Sequence, residues 1–403
     1  MRDYIEHPGS ELESSARAFG ALLAEDIKND HDFYIFSPDE TSSNKIDAVY
    51  NESPRLWLRE VRDWEENFDN HGQVLELLSE NTLVSTMIGH NLTGGHGIFA
   101  SYEAFIPIVS SQLDQYLKFL EQCSEVDWRP DYPALNILST STCWRQDHNG
   151  YSHQNPSIIS SLLAKPNGRV NCLFPIDATA THVAHEVMQS TKNVINLITL
   201  NKTDEPQWID INHARWQYAN SGASTFGFAS DEDPQIIVTA AGDIVSREAL
   251  YAIKIVKEIL PHIRLRFVGI TALSYGAIGT TDNRLTQTGF DELFGNSATP
   301  IIAAFHGYPD VLSNILTRYG RTATVRGFIE KGSTTTPFDM LARNLTSRYN
   351  LVIDILQSAA DLSLVDVDQL FSLIETYQAK LFANFDYIRE HGVDLPEIVD
   401  FRW

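Results

Sequence analysis

The alternation of short apolar runs with helical stretches is the feature of this sequence that most restricts its fold. Runs typical of buried strands occur at residues 33–36, 74–78, 134–138, 170–174 and 194–198. A second series follows, with strand patterns at 236–239, 264–270, 301–305 and 322–329 and closing helices at 349–358 and 367–387. Strands that alternate with helices form a mostly parallel sheet with helices on both faces. The sequence therefore predicts an α/β protein with two doubly wound domains.

The stretch between residues 204 and 234 separates the two series. Its apolar periodicity fails, and Gly, Ser, Asn and Asp accumulate there. We interpret it as a linker and predict one domain at residues 1–225 and a second at residues 226–403. Each domain is long enough to bury a core of its own.

Local spacing predicts two further helices. Ser10 and Glu13 have the spacing of a capping box, which predicts the start of the first helix. The apolar face of that helix is predicted to comprise Leu12, Ala16, Phe19, Leu23 and Ile27. Further along, an apolar stripe from residue 102 to residue 120 predicts one long helix.

Charge and cysteine content exclude several classes of partner. The chain carries 30 Lys and Arg against 53 Asp and Glu, a formal net charge of −23, which argues against nucleic acid or an anionic membrane as a partner. If such a protein binds a phosphorylated metabolite, it must gather its few cations in one cleft. No apolar run is long enough to span a bilayer, and no signal peptide is evident. Cys123, Cys143 and Cys172 form no Cys-x-x-Cys pair, so we expect a reducing compartment, the cytoplasm.

The loop after the strand at 134–138 is the densest polar segment. Residues 144–154 contain two histidines, an arginine, an aspartate, an asparagine and two glutamines. Ligands of parallel sheets bind beyond the carboxyl ends of strands. The residues leave three interpretations open, namely a hydrogen-bonded brace, a polar ligand site or a metal site.

Other segments have simpler interpretations when taken alone. The hydroxyl-rich stretch at 332–337 predicts helix capping ahead of Pro337. Glu80 at a predicted helix start indicates a favourable contact with the helix dipole. Residues 39–44 indicate turn chemistry. Sequence signatures of nucleotide-binding loops, serine hydrolases and zinc proteases are missing from the chain.

Taken together, these segments resemble the C-terminal half of phosphoketolase, a thiamine-diphosphate enzyme related to transketolase. The matching strings are SPDETSSN at 37–44, LSE at 78–80, LTGGHG at 92–97, YEAF at 102–105, WRQDHNGYSHQ at 144–154 and GSTTTPFDM at 332–340. The resemblance implies a pyrimidine-binding domain over residues 1–225 and a transketolase C-terminal-like domain over the remainder. It also implies that the diphosphate-binding domain, which holds Mg2+, precedes residue 1 and comes from a separately encoded partner. No metal site is expected on this chain.

The resemblance also implies roles for individual residues. The catalytic residues are Glu80, Gln146, Asn149 and His153, and the cofactor-binding residues are Glu80, Tyr102 and Phe105. The substrate and phosphate-binding residues are Ser43, Tyr102, His148 and Lys202. In the family, the residue matching Glu80 hydrogen-bonds the pyrimidine ring of thiamine diphosphate and promotes its activation. Burial beside an aromatic cofactor favours proton sharing by such a carboxylate.

The expected activity is that of an aldehyde-lyase assembled from this chain and its partner, as a homodimer or heterotetramer. It would cleave xylulose 5-phosphate or fructose 6-phosphate with inorganic phosphate to acetyl phosphate and an aldose phosphate. A second hypothesis is a catalytically silent homologue that regulates or scaffolds a phosphoketolase. Gly95, where the family has arginine, and the altered helix after Glu80 favour it. A third is a split transketolase or the β-subunit of a 2-oxoacid dehydrogenase.

Overall fold

The structure, a computed structural model, describes residues 2–332 and 334–403. Ser333, one of the hydroxyl residues of the predicted helix start, therefore lies outside the described residues. The strands are β1 (Leu12–Glu13), β2 (Phe33–Ser37), β3 (Arg55–Leu56), β4 (Phe68–Asp69), β5 (Val74–Glu76), β6 (His96–Tyr102), β7 (Leu135–Thr140), β8 (Val170–Leu173), β9 (Ile195–Thr199), β10 (Glu205–Pro206), β11 (Ala223–Thr225), β12 (Ile236–Ala241), β13 (Leu265–Ile270), β14 (Ala272–Ser274), β15 (Ala277–Ile278), β16 (Ile301–Phe305) and β17 (Thr324–Arg326). The α-helices are α1 (Ser15–Asn29), α2 (Glu80–Leu92), α3 (Ser110–Ser124), α4 (Ser157–Leu163), α5 (Ala178–Ser190), α6 (Ile211–Ala219), α7 (Asp243–Ile259), α8 (Gln287–Phe294), α9 (Pro309–Arg318), α10 (Pro337–Arg343), α11 (Arg348–Asp361), α12 (Val367–His391) and α13 (Pro396–Val399).

Two mainly parallel sheets form the framework of the described chain. The first has the strand order β15-β14-β8-β9-β7-β6-β2-β5-β3-β4, and the second has the order β11-β13-β12-β16-β17. Antiparallel pairing is confined to the β14–β15, β14–β8 and β11–β13 neighbours of these sheets. This arrangement confirms the predicted α/β fold with two units.

The two units interlock at their edges. Strand β14, from the second half of the sequence, pairs with β8 and so extends the first sheet. Strand β11 ends at Thr225 and pairs with β13 of the second sheet. Apolar contacts cross between the halves as well, since the Trp144 and Phe328 rings meet edge-on at 5.7 Å and those of Phe174 and Phe305 at 5.6 Å. The two units share sheet edges and core contacts, so the structure does not separate them at one residue. The domain boundary at residue 225 therefore remains a prediction.

The first helix begins later than the predicted capping box. Its N-cap is Ser14, whose hydroxyl accepts from the Arg17 N–H at 3.2 Å, whereas the Ser10 hydroxyl donates to the His7 carbonyl at 2.7 Å. Leu12 is 48% exposed and lies in β1, which pairs with β10. The prediction for Ser10, Glu13 and Leu12 is thus wrong, because a long-range strand pairing holds this segment extended. The buried face formed by Ala16, Phe19, Leu23 and Ile27 is confirmed.

The stripe from residue 102 to residue 120 is not one helix. Tyr102 ends β6, which lies between β2 and β7 in the sheet, and α3 begins only at Ser110. The sequence did not predict β6, since Gly97, Ala100 and Ser101 give it a weak strand pattern. This correction places Tyr102 at the carboxyl end of a central strand.

Part of the predicted linker is a packed helix. Asp210 caps α6 by accepting from the His213 N–H at 2.9 Å, and the helix buries Ile211, Ala214 and Tyr218. Its inner face also carries Gln217, whose amide donates to the Gly269 carbonyl at 2.8 Å. A polar residue on the buried face interrupts the apolar period, which explains why the helix was not predicted.

The helices of the described residues were compared with the requirements for crossing a membrane. No helix there combines the length and the apolar composition that crossing a bilayer requires.

Candidate active site

Five parallel strands of the first sheet end at one edge, and each is followed by predicted site residues. Strands β5, β2, β6, β7 and β9 are successive parallel neighbours. The residues that follow them are Ser43 after β2, Glu80 after β5, Phe105 after β6, Gln146, His148, Asn149 and His153 after β7, and Lys202 after β9, while Tyr102 is the last residue of β6. The carboxyl edge of an open parallel sheet is where ligands bind. The topology therefore gathers the predicted residues at the expected place.

A cluster of rings and hydroxyls forms one part of this edge. The Ser43 and Tyr102 hydroxyls are 2.6 Å apart. The Tyr102 and Phe105 rings stack at a centroid distance of 5.9 Å, and the His153 ring meets Phe105 edge-on at 5.2 Å. These contacts connect the loops after β2, β6 and β7.

Lys202 brings a cation to the same cluster. Its Nζ lies 5.1 Å from the centre of the Tyr102 ring and donates to the Ser141 hydroxyl at 2.8 Å. Burial and the nearby charge of Lys45 lower the pKa of Lys202, whereas Glu40 opposes that shift. Two cations of this acidic chain thus lie near one another at the sheet edge.

Two carboxyl groups complete the edge, Glu80 and Glu40. Ser79 caps α2 by accepting from the Thr82 N–H, which makes Glu80 the first residue of the helix. Glu80 is half-buried, and among the described residues no hydrogen bond or ion pair engages its carboxylate. Glu40 Oε2 accepts from the Tyr102 N–H at 3.1 Å. Burial raises the pKa of Glu40 to about 7; the Tyr102 N–H opposes the rise, and the charge of Glu80 adds to it.

The loop at 144–154 is both braced and incompletely satisfied. The Gln146 carbonyl accepts from the backbone of Asn149 and Gly150 and, at 2.9 Å, from the Gln154 amide. The side chain of Gln146 is 1% exposed, yet its Nε2 has no hydrogen-bond partner in the described chain. A buried donor without a partner is rare in native proteins and indicates a group that an added ligand can satisfy. The brace and ligand interpretations therefore apply to different atoms of the same loop.

His148 and Asn149 lie at the exposed tip of this loop. Within the described residues, no side-chain contact connects either of them to Glu80 or Lys202. The structure therefore places these two predicted residues at the same sheet edge but does not bring them into contact with the rest of the cluster.

A sealed network, formed by Glu103, Cys143, Asp243 and His306, lies where the two halves meet. Glu103 Oε1 is 2.7 Å from His306 Nε2, and Glu103 Oε2 accepts from the Cys143 N–H at 2.8 Å. Asp243 Oδ2 accepts from the Asn201 N–H at 3.1 Å. All four residues are buried. The network therefore joins loops at the carboxyl edges of both sheets.

The charges in the sealed network shift one another. Burial opposes charging of His306, but Glu103 and Asp243 raise its pKa above the ordinary value. Burial also raises the pKa of Asp243 to about 6. No sequence motif predicted a function for these residues. A signal existed, because Glu103, Asp243 and His306 each closely follow a strand.

The segment at 332–337 differs from its prediction in one respect. Thr336 is the N-cap residue of α10 with Pro337 after it, as expected, but its hydroxyl does not cap the helix. Asp394, 56 residues from Phe338, accepts from the Phe338 N–H at 3.0 Å and from the Thr336 hydroxyl at 2.6 Å. Thr335 N–H donates to the Asp147 carbonyl at 2.9 Å, so the segment packs against the polar loop.

Comparison with known families identifies the chain's relatives. Residues 17–190 match the family described as D-xylulose 5-phosphate/D-fructose 6-phosphate phosphoketolase, and residues 202–403 match the C-terminal domain of that family. The chain belongs to the phosphoketolase family. A protein described as a probable phosphoketolase from Rhodopseudomonas palustris (strain TIE-1) is 38% identical over 408 residues, which cover 98% of this chain and 51% of that protein. The phosphoketolase-family chain thus spans about half the length of the curated relatives it matches.

Solved structures with the same fold are transketolases. A transketolase from Pichia stipitis in complex with sedoheptulose 7-phosphate aligns with a TM-score of 0.69 at 14% identity, covering 90% of this chain and 49% of that one. An inactive β4 tetramer of a split-gene transketolase aligns with a TM-score of 0.58 at 13% identity, covering 86% of this chain and 98% of that one. At such low identity these likenesses show that the phosphoketolase-family chain has the transketolase fold.

Proposed function

We propose that this chain forms the pyrimidine-binding part of a thiamine-diphosphate-dependent phosphoketolase. The assembled enzyme cleaves xylulose 5-phosphate or fructose 6-phosphate with inorganic phosphate, and its products are acetyl phosphate and a shortened aldose phosphate. One observation carries the proposal. A half-buried glutamate without a described hydrogen bond, Glu80, shares a sheet edge with aromatic rings and an orphaned amide donor.

The residues at this edge fit the pyrimidine end of thiamine diphosphate. Glu80 has a carboxylate available to hydrogen-bond a ring nitrogen, and the Tyr102 and Phe105 rings offer aromatic surface at the same sheet edge. The buried Nε2 of Gln146 is a donor suited to a developing oxyanion, because such donors act most strongly where water is excluded. When bound, the cofactor supplies a nucleophilic carbon. The residues of this chain bind and orient the ring and the substrate, and Glu80 holds or releases a proton at its carboxyl group.

The hydroxyl and cation cluster fits a phosphate group. Ser43 and Tyr102 present adjacent hydroxyls, and Lys202 lies against the Tyr102 ring. We propose that these residues, with His148 on the loop tip, bind the phosphate of the substrate or inorganic phosphate. Asn149 and His153 complete the catalytic set on the same loop.

A diphosphate-binding domain outside these 403 residues is the second part of the proposal. Across residues 2–332 and 334–403, the only group of three metal-donor side chains is the buried set Glu103, Cys143 and His306. Mg2+ prefers oxygen ligands and retained water, which a sealed thiolate and imidazole do not offer. We propose that a separately encoded subunit holds Mg2+ and the diphosphate, in a homodimer or heterotetramer.

The surface next to Glu80 supports such a partner. Leu78 is 82% exposed and Leu77 is 43% exposed, immediately before the cap of α2. The split-gene transketolase supports it by analogy, since its β4 tetramer is described as inactive and has this fold. All three cysteines are free, which supports a reducing location, the cytoplasm.

Of the two departures that favour a catalytically silent homologue, Gly95 lies away from the carboxyl edge, and Asn81 lies beside Glu80 but points its exposed side chain to the surface. Gly95 precedes β6 at its amino end, and that strand of seven residues spans about 20 Å to Tyr102. Asn81 is exposed, and its carbonyl accepts from the Gln112 amide at 2.8 Å. Neither departure removes one of the side chains proposed to act at the carboxyl edge, which supports the catalytic proposal.

The test is reconstitution with the polypeptide from the same genome that carries a Gly-Asp-Gly diphosphate-binding motif. We expect the mixture, and neither chain alone, to bind thiamine diphosphate with Mg2+ and to form acetyl phosphate, measured as its hydroxamate. Glu80→Gln is expected to lower kcat about 10²–10⁴-fold without changing assembly. Glu25→Gln, at an exposed position on α1, is the matched control and should retain the rate.

Two results contradict the proposal. Tight Mg2+-dependent binding of the cofactor by the lone chain rejects the separate partner. An assembled complex that binds the cofactor but forms no acetyl phosphate from either sugar phosphate rejects the activity, and a lipoyl-dependent assay then tests the 2-oxoacid dehydrogenase alternative.

A further inference from the structure

A cavity of about 270 Å3 lies where the loop after β7 meets the C-terminal end of the chain. Four arginines line it, namely Arg145, Arg247, Arg348 and Arg402. The whole chain has only 30 Lys and Arg against 53 Asp and Glu, so this is a strong local concentration of cations. Of the described residues, those of the hydroxyl and cation cluster at the sheet edge do not line this cavity. The arginine cavity is therefore separate from the candidate active site.

Arg145 is the arginine whose charge has no partner. It is half-buried on the polar loop and directly precedes Gln146. Its guanidinium makes no hydrogen bond, ion pair or ring contact within residues 2–332 and 334–403. Partial removal of a charged group from water costs free energy unless a partner compensates for it. The Arg145 guanidinium is thus a set of donors available to an anionic ligand.

Two other arginines of the cavity also keep unused donors. Arg247 donates from Nε to Glu248 at 3.1 Å and from Nη1 to Glu205, and its Nη2 makes no hydrogen bond in the described chain. Arg402 donates from Nη1 to two backbone carbonyls at 2.8 Å, which leaves its Nε and Nη2 unused there. Donors from three separate segments therefore line one cavity.

Arg348 shows the contrast with a fully engaged arginine. Its Nε and Nη2 donate to Glu248 at 2.9 Å and 2.8 Å, and its Nη1 donates to the Ile398 carbonyl at 3.3 Å. The guanidinium carbon lies 4.5 Å from the centre of the Tyr251 ring, and the side chain is 4% exposed. Arg348 is therefore part of the fixed framework of the cavity and is not counted among its available donors.

The acidic residues of the cavity do not neutralise Arg145. Asp204, Glu205 and Asp394 line the cavity together with the arginines. Glu205 engages Arg247, and Asp394 engages the start of α10. Asp204 is exposed to solvent. None of the three forms an ion pair with Arg145 in the part of the chain that the structure describes.

The C-terminal wall of the cavity is held in place by the rest of the fold. Lys254 Nζ on α7 donates to the Arg402 carbonyl at 2.9 Å. The Trp403 ring meets the buried Trp208 ring edge-on at 6.1 Å. A wall that is already ordered lowers the entropic cost of binding a ligand.

We propose that the arginine cavity is a binding site for a small phosphate-bearing anion, which Arg145, Arg247 and Arg402 hold. Guanidinium groups bind phosphate oxygens in pairs through their forked donors. The cavity is near the lower end of the size range of small-molecule sites, roughly 300 Å3, which suits a compact anion. Because Arg145 directly precedes Gln146, the bound anion anchors the 144–154 loop to the C-terminal segment.

The test is calorimetric titration of the full chain with inorganic pyrophosphate at constant ionic strength. Every sample carries Lys202→Gln, which weakens the phosphate cluster at the sheet edge and isolates the arginine cavity. We expect binding that Arg145→Gln weakens at least about tenfold, because hydrogen bonds between charged groups are lost. Arg402→Gln is expected to weaken binding as well. Arg17→Gln, at an exposed position on α1, is the matched control and should leave the affinity unchanged.

Inorganic phosphate and glycerol 3-phosphate, titrated in the same way, distinguish free phosphate from a phosphorylated compound as the ligand. Binding of any of the three anions that depends on Arg145 supports the proposal. Absence of binding by all three, or binding that Arg145→Gln leaves unchanged, overturns it. If Arg145→Gln fails to fold, Arg402→Gln decides, because its side chain is exposed.

Hydrogen exchange tests the effect on the polar loop. With the tightest-binding anion present, we expect amides of the 144–154 loop to exchange more slowly, and Arg145→Gln to abolish the change. Exchange that the anion does not slow overturns the anchoring role. Both experiments use the chain without cofactor or partner, so their outcome is independent of whether the assembled enzyme forms acetyl phosphate.

Discussion

Glu80 and Glu103 belong to the same sheet edge but lie in opposite environments. Glu103 is fully buried, and its two oxygens engage His306 and the Cys143 N–H, so it joins the two halves of the chain. Glu80 is half-buried and, among the described residues, has no such partner. A satisfied buried carboxylate contributes to cohesion of the fold, whereas an unsatisfied one at a cleft is available to a ligand. The comparison separates structural from functional carboxylates.

The largest expected effect is the difference in stability between the alanine variants of Glu103 and Glu80. Glu103→Ala removes the carboxylate that is hydrogen-bonded to the buried His306, and we expect it to lower the free energy of unfolding by about 3–5 kcal/mol. Glu80→Ala removes only a favourable contact with the dipole of α2 and is expected to cost less than about 1 kcal/mol. Urea denaturation of both variants measures the difference. Equal losses contradict the division into structural and functional carboxylates.

The next largest expected effect is a change in stability with pH, which arises from Asp243 in the sealed network. Burial raises the pKa of Asp243 from 3.8 to about 6, so stability due to its protonated form is present at low pH and is lost as the pH rises through that range. In Asp243→Asn, the amide oxygen still accepts from Asn201, and no ionisation occurs. Between about pH 4 and about pH 7, we expect the wild-type chain to lose about 2–3 kcal/mol relative to this variant. If denaturant titrations give the wild-type chain and Asp243→Asn parallel profiles of stability against pH, the raised pKa of Asp243 is contradicted.

Ionisation of Glu40 is expected to cause a smaller loss of stability as the pH rises. Burial raises its pKa to about 7 from 4.5, so ionisation destabilises the fold progressively as the pH rises from acid to neutrality. Because Glu40 is half-buried and solvent screens it, we expect Glu40→Gln to gain only about 1–2 kcal/mol over the wild type above about pH 7. At low pH the two should unfold alike. A constant difference across the pH range indicates a packing effect unrelated to ionisation.

Short sequence strings predicted the residues of the candidate site, but not their hydrogen-bond partners. Glu80 and the 144–154 loop follow strands whose apolar runs are visible in the sequence, whereas Tyr102 ends β6, which the sequence did not predict. Glu103 and His306 are 203 residues apart, and nothing local to either one indicates the other. The hydrogen bond from the start of α10 to Asp394 and the pairing of β10 with β1 also join residues that are far apart in the sequence. Long-range hydrogen bonds of this kind leave no periodic signal.

The sequence by itself determined the α/β class, most strands, and the set of residues at the carboxyl edge, because strand and helix periodicity and the order of loops are local properties. Tertiary structure alone decided where α1 begins, that β6 lies between β2 and β7, and which carboxylates are satisfied. Those outcomes depend on which polar groups meet across the fold. Whether a buried or half-buried carboxylate finds a donor is settled by packing between distant segments, and that difference separates Glu103 from Glu40 and Glu80.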